Sequence, residues 1–451
     1  MRSLTLFAVL VLTPTVAHAT DTWSDPKPGV RRLHRVTTNQ DINVLDIDLC
    51  AAGVSVRATK TTERQQTVPS FGAAVGADAA INGDFFTPAF STDGPAVGDG
   101  GAWGGTDHTY VAPVQFGLHR IALPPHNDTA GVGAWALQVV SGHPTLLVNG
   151  VAFPGNNGDS VCTARNPRTS VGFTADKRHL IMAVVDGRAT TRIGMTCDEL
   201  TALMKELGAT DAVNLDGGGS STMWLTGTVL NHPSDGTPRV VGNHLAVHAT
   251  GSGAAPNCPK PAFDAASVAV DAPTAMTSGD EVSVSMQLTN EGYTAWDMAK
   301  THVGTQGPQD RPSPFYQATT WPAPNRAVAA DQAYAPGATA HFTWTMVAPE
   351  VTVPTTFDES FQLVQEGVAW FGPPQTMHIT VTPRSGTMPD GGSGGDGGGG
   401  GGGGGCSTSS GGSSASWVLV LLAAICASGG RRCTRACRAR RRCDAGLRTP
   451  S

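Results

Sequence analysis

The chain has 451 residues, a formal net charge of -6 and only 15% charged residues. It has no broad basic face, which argues against a nucleic-acid partner. Its 56 glycines favour turns and strands over long helices, and its length allows two or three domains plus tails.

Residues 1–19 read as an export signal. Arg2 supplies charge, residues 4–12 are apolar, and Ala17-His18-Ala19 fits a small-x-small cleavage site. Residues 20–250 form a first unit. Residues 43–50 and 54–58 alternate apolar and polar around Gly53, as a strand pair does. A helix is expected over 68–80, leading into a strand at Ala80-Ile81. Residues 180–185 make a buried strand that ends at Asp186-Gly187-Arg188. Thr196 and Glu199 form a capping box before Leu200, Leu203, Met204 and Leu207. Strands follow at 212–215 and 240–248. Helices mixed with strands, without a strict βαβ repeat, predict an α+β domain of mixed α/β sheets with flanking helices.

Residues 251–264 make a linker. Residues 265–383 lose helical periodicity and alternate in short runs such as 281–288 and 340–346, which predicts a β-sandwich. Residues 384–416 are Gly/Ser-rich. Residues 417–451 join an apolar run to an Arg-rich cluster, the layout of a sorting tail. That tail would be the sole membrane contact of a cell-surface or outer-membrane-associated protein, and would meet a sorting protease or lipidation machinery.

Of nine cysteines, Cys50, Cys162, Cys197 and Cys258 lie in the body. An oxidising compartment favours two disulfides. Three pairings exist, and Cys162–Cys197 with Cys50–Cys258 is preferred. A zinc site competes, but the body has no C-x-x-C.

Polar clusters stand at strand ends. In "NLDGGGSSTMWL" a strand ends at Asn214 and Asp216. Gly217, Gly218 and Gly219 then free the backbone to approach a ligand and form an anion nest, and Ser220 and Ser221 add hydroxyls. "AAINGDFF" places Asn82 and Asp84 before Phe85 and Phe86. "ARNPRTSVGF" offers Arg168 as a phosphate clamp. "VVDGR" ends at Asp186 and Arg188, and "NHPSDGTPRVVGNHL" carries Asp235, Arg239 and Asn243. Each stretch also fits a plain turn or a solvated arginine. Asp84, Asp186 and Asp216 are oxygen donors of the kind Ca²⁺ or Mg²⁺ prefers, but no spacing demands an ion, so no cofactor is expected.

In order, "INGDFF", "RNPRTSVGF", "VVDGR", "GMTCDELTALMKELGATDAVNLDGGGSSTMW" and "NHPSDGTPRVVGNHLAVH" resemble the phosphodiester glycosidase family, over roughly residues 40–250. That family includes enzymes that remove N-acetylglucosamine from a phosphodiester, and proteins associated with exopolysaccharide. Asp84 stands where many relatives would carry a small residue, so an extra acid would alter the subsite. "LTNEGYTAW" and "FQLVQEGVAWFG" resemble the immunoglobulin-like domain of next-to-BRCA1 autophagy receptors. The tail, with Cys406, resembles myxobacterial sorting signals.

The first resemblance implies hydrolysis of a sugar-1-phosphodiester or an exopolysaccharide or cell-wall relative of it. Asp216 would serve as nucleophile or base. Residues 217–221 and Arg168 would hold phosphate, and Asn82, Asp186 and Asn214 would orient sugar hydroxyls or a water. Asp84, Asp235 and Asn243 would complete the binding set. Two other readings compete. One is a non-catalytic glycan-binding adhesin using Phe85, Phe86, Trp103 and Trp224. The other is a serine hydrolase, which the missing G-x-S-x-G elbow disfavours.

Overall fold

The computed structural model describes residues 19–107 and 109–384. It corrects the expected fold class: the chain is 45% strand and 8% helix, so no α+β domain with flanking helices is present. Among the described residues the α-helices are Val68–Ala74, Ser160–Thr163 and Cys197–Glu206. The helix expected over 68–80 ends early, because Gly76 turns the chain at φ +65° and Ala79–Asn82 is a strand. The capped helix forms, with Thr196 accepting from the Glu199 N–H.

Three large antiparallel sheets and a two-stranded one (Gln66–Thr67 with Val240–Val241) build residues 20–250. The first has eight strands, in the order Thr20–Lys27, Val30–Val36, Asp41–Asp48, His179–Val185, Arg168–Phe173, Asp211–Asn214, Thr145–Val148, Val151–Ala152. The second contains Pro95–Gly98, Ala112–Phe116 and Gln138–Gly142, among five strands. The third runs Thr228–Val229, Met223–Leu225, Ala79–Asn82, His244–Ala249, Val54–Ala58.

All three large sheets face one core: Leu45, Ile47, Met182 and Val184 from the first, Val114, Phe116 and Val140 from the second, Ile81, Met223 and Leu245 from the third. The alternate residues of the same strands, Ile42, Val44, Ile181 and Val185, pack on the other face against Leu200, Leu203 and Met204 of the long helix. These strands are buried on both faces, so they read as continuous apolar runs rather than alternating ones.

Residues 265–382 form two sheets around a separate core that includes Val284, Met286, Leu288, Trp296, Phe342, Trp344 and Phe361. A three-stranded sheet (Ala265–Asp271, Glu281–Asn290, Thr339–Val347) packs with a five-stranded one. Contacts across the junction include Lys260 Nζ to Glu291 Oε2 at 2.7 Å and the Arg120 guanidinium over the Tyr293 ring. The disulfides are Cys50–Cys258 and Cys162–Cys197, the preferred pairing, as an oxidising compartment favours. The expected linker at 384–416 lies outside the described residues except for Arg384, and the sorting tail lies wholly outside them. No helix among the described residues is long and apolar enough to cross a membrane.

Phe71 of the first helix stacks on His244, ring centroids 4.4 Å apart. His244 is fully buried. Its Nε2 faces the Gln66 carbonyl at 3.0 Å, so that nitrogen carries the proton, and Nδ1 lies 2.9 Å from Thr59 Oγ1. Burial lowers its pKa from 6.5 to about 4. The imidazole therefore contributes stability above pH 6.5 that is lost as pH falls towards 4, by roughly 2–3 kcal/mol. Thermal unfolding across this window should show that loss in wild type. His244→Phe, though less stable at neutral pH, should lack that component.

Candidate active site

The segment after Asn214 crosses from the first sheet to the third. Its backbone N–H groups are handed on in turn: Leu215 to Thr169 O (2.8 Å), Asp216 to Gly83 O (3.0 Å), Gly218 to Pro167 O (2.9 Å). A short 3-10 turn, Gly218–Ser220, then delivers the chain to Met223–Leu225. Each glycine answers a different need. A Cβ at Gly217 would meet Pro167 O at 2.8 Å. Gly218 sits at φ +60° beneath Arg188. A Cβ at Gly219 would lie 2.1 Å from Arg239 Nη2.

Of the glycines expected to form a backbone nest, Gly218 donates its N–H to Pro167 O and Gly217 donates to Asp216, while the Ser220 and Ser221 N–H groups go to Gly217 O and Gly218 O. The glycines instead let arginines close over the turn. A cleft of about 290 Å³ results, lined among others by Phe85, Ser160, Arg168, Arg188, Asp216 and Arg239. Asp216 is the carboxylate among its lining residues.

Arg168 is buried. Its Nε donates to Met195 O (2.8 Å) and its Nη2 to Val161 O (2.7 Å) and Ala164 O (2.9 Å), leaving Nη1 as its unspent donor. Desolvation lowers its pKa to about 10, so it stays charged at neutral pH. Arg188, at φ +62°, reaches Asn166 Oδ1 at 3.3 Å. Arg239 binds Asp235 Oδ2 through Nε (2.9 Å) and Nη2 (2.6 Å), and Ser220 Oγ through Nη1 (3.3 Å). Three arginines and one half-buried carboxylate thus line the same cleft, with Arg239 the arginine whose charge acts on Asp216.

Desolvation pushes Asp216 up to about 6. A hydrogen bond from Ser220, the charge of Arg239 and the Gly217 N–H act against that rise.

The other expected residues stand behind the cleft or apart from it. Asn82 is fully buried, with Nδ2 donating to Asp216 O (2.7 Å). Its Oδ1 accepts from Thr169 Oγ1 (2.8 Å) and Thr222 N (3.1 Å). Asn214 donates to His143 O at 2.7 Å. Neither amide is placed to orient a sugar hydroxyl; both position the backbone. Asp84 is buried, with Oδ1 accepting from Ser141 N and Asn243 Nδ2, each at 2.7 Å. Asn243 in turn accepts the Asp84 N–H. This pair braces the "INGDFF" turn rather than lining a subsite.

Ser221 is buried and its Oγ has no partner, so it does not offer a phosphate donor. Asp186 is buried against Asn231 and His232 and does not line the cleft. Trp224 is buried and unavailable to a glycan. Arg188 and Arg239 are the cleft residues that the site assignment from sequence left out. Their signal was there: an arginine directly after a strand-end Asp-Gly, and one four residues beyond Asp235.

Residues 75–248 match the family model described as phosphodiester glycosidase, and the relatives found are similar to this part of the chain at low identity. An N-acetylglucosamine-1-phosphodiester alpha-N-acetylglucosaminidase of Mus musculus is 28% identical over 218 residues, 41% of this chain and 40% of that protein. An uncharacterized SPbeta prophage-derived protein, YomE, of Bacillus subtilis is 35% identical over 83 residues, 18% of this chain and 13% of that one. The match thus spans well under half the length of either relative. Among solved structures, the zebrafish N-acetylglucosamine-1-phosphodiester alpha-N-acetylglucosaminidase catalytic domain, auto-inhibited by its pro-peptide, aligns at 22% identity and TM-score 0.39, covering 53% of this chain and 85% of that one.

The raised pKa of Asp216 means that its ionised form is disfavoured by the fold. The cost is absent below pH 3.8, grows up to about 6 and is complete above it. Asp216→Asn should therefore raise stability above pH 6, by on the order of 1–3 kcal/mol, and change little near pH 3.5. Paired thermal melts at the two pH values check this.

Proposed function

We propose that this chain is an exported hydrolase that cleaves the glycosidic bond of a sugar-1-phosphodiester, of the N-acetylglucosamine-phosphate kind or its exopolysaccharide or cell-wall relatives. The observation that carries the reading is the single carboxylate of Asp216 among Arg168, Arg188 and Arg239 in one cleft. A sugar phosphodiester presents that pattern in reverse: an anion beside a carbon that becomes cationic as its bond to oxygen breaks.

In the proposed reaction the C1–O bond breaks and its electron pair leaves on the phosphate oxygen. Buried Arg168 meets that charge in a desolvated setting, where fixed donors are most effective, and the exposed Arg188 and Arg239 add positive charge from the rim. Phosphate leaves readily, so the cleft functions without a second carboxylate to protonate it. Asp216 faces the oxocarbenium-like carbon as nucleophile, or as the base that takes a proton from the attacking water. Phe85 at the cleft wall offers an apolar surface to the sugar ring. The mature protein would act at the cell surface, with the sandwich of residues 265–382 spacing or binding.

The test is release of free sugar from a panel of sugar-1-phosphodiesters by the purified chain. Wild type should release sugar, with kcat/KM rising through about pH 6 as Asp216 ionises. Asp216→Asn should abolish turnover while still binding. Arg239→Met or Arg188→Met should each cost about 100- to 1000-fold in kcat. Glycan binding without turnover by wild type would overturn the proposal in favour of the adhesin.

A further inference from the structure

On the far side of the Asp186–Arg188 turn from the cleft, three segments bring Asp41, Asp186 and His232 together. The strands Asp41–Asp48 and His179–Val185 pair antiparallel, Ile42 opposite Val185, and the Asp186 N–H donates to Asp41 O at 2.9 Å. That register sets the two aspartates side by side. The loop after Leu230 then lays His232 across both. Its Nδ1 is 2.8 Å from Asp186 Oδ2 and 3.7 Å from Asp41 Oδ2. One ligand atom from each residue lies within 4.8 Å of the others.

The remaining carboxylate oxygens are held from elsewhere. Asp41 Oδ1 accepts from His34 Nε2 at 2.9 Å. Asp186 Oδ1 accepts from Asn231 Nδ2 at 3.1 Å and from the His232 N–H at 2.9 Å. Such outer partners orient metal ligands and fix their direction. The side chains of Asp41 and Asp186 are 12% and 0% exposed. Two adjacent, desolvated carboxylates repel each other unless a cation lies between them. Among the described residues the permanent cation within 4 Å of Asp186 is Arg192, whose Nε is 3.9 Å away.

We propose that Asp41, Asp186 and His232 bind one divalent transition-metal ion of the zinc class. A tetrahedral ion with bonds of about 2.0–2.1 Å holds its ligand atoms about 3.3 Å apart, between the two separations seen around His232 Nδ1. One nitrogen and two carboxylate oxygens suit zinc, cobalt or manganese. Calcium requires six to eight oxygens. On binding, His232 Nδ1 gives up its place to the ion and carries its proton on Nε2. Three protein ligands leave a fourth position for water.

The ion would clasp the two segments that carry cleft arginines. Asp186 is two residues before Arg188, and His232 opens the loop that runs to Asp235 and Arg239. Its role is to position those guanidinium groups from outside the cleft. This goes beyond the proposed reaction, and its test is independent of any substrate.

The full chain, purified without a polyhistidine tag and stripped with chelator, is titrated with Co²⁺, Zn²⁺ and Ca²⁺. Expected are one tightly bound Co²⁺ per chain with the intense visible absorption of tetrahedral cobalt, displacement by Zn²⁺, and a rise in Tm with either ion. His232→Ala and Asp41→Asn should each weaken binding at least tenfold and abolish the Tm rise. The His232 side chain is 58% exposed, so its truncation should leave the fold intact; the melt of the stripped variant checks this. Equal binding by wild type and both variants, no binding by wild type, or binding of Ca²⁺ alone would each overturn the proposal.

Discussion

One buried amide joins the sheets that make the cleft. Asn82 ends a strand of the third sheet, yet its side chain binds Thr169 of the first sheet and both ends of the crossing segment, at Asp216 O and Thr222 N. A buried amide that uses donor and acceptor in this way tolerates little displacement, because any shift strands a polar group away from water. The crossing segment inherits that rigidity. Asp216 leaves it at a fixed point, and the glycines beyond it fold tightly enough for Arg188 and Arg239 to lie over them.

The electrostatics follow from that placement. The side chain of Asp216 is desolvated by its position on the crossing, and Ser220, Arg239 and the Gly217 N–H oppose the desolvation without cancelling it. Arg168 shows the same economy in reverse. It is buried with its charge, and three main-chain carbonyls rather than a carboxylate compensate it. A guanidinium satisfied by neutral carbonyls keeps its positive field.

The sequence revealed strand ends better than sheets. Polar residues after apolar runs marked Asp216 and Asp186 as lying just past strand ends, Arg168 was read at the start of a strand, and the capping box at Thr196 fixed one helix. The sheet architecture was hidden, because strands such as His179–Val185 are apolar on both faces and period two vanishes when neither side meets water. Side-chain direction was hidden too. Asn82, Asn214, Asp84 and Asn243 look like site residues on a one-dimensional reading, since a buried amide bracing a turn and an exposed one binding sugar share the same letter. The sandwich was easier to read. Val284, Met286 and Leu288 are buried while their neighbours are exposed or partly so, and that alternation survives in the sequence.

The bond between Cys162 and Cys197 couples this architecture to where the chain resides. Cys162 lies in the short helical turn whose neighbours Val161 and Ala164 supply the carbonyls that seat Arg168. Cys197 begins the long helix beside Met195, the third carbonyl donor to that arginine. The seat of one cleft cation is therefore stitched together by oxidation. Without that bond the two segments are held by the paired backbone hydrogen bonds of Asn166 and Met195 and by the Arg165–Glu199 ion pair. An oxidising compartment thus favours the covalent bond that joins the two segments seating Arg168.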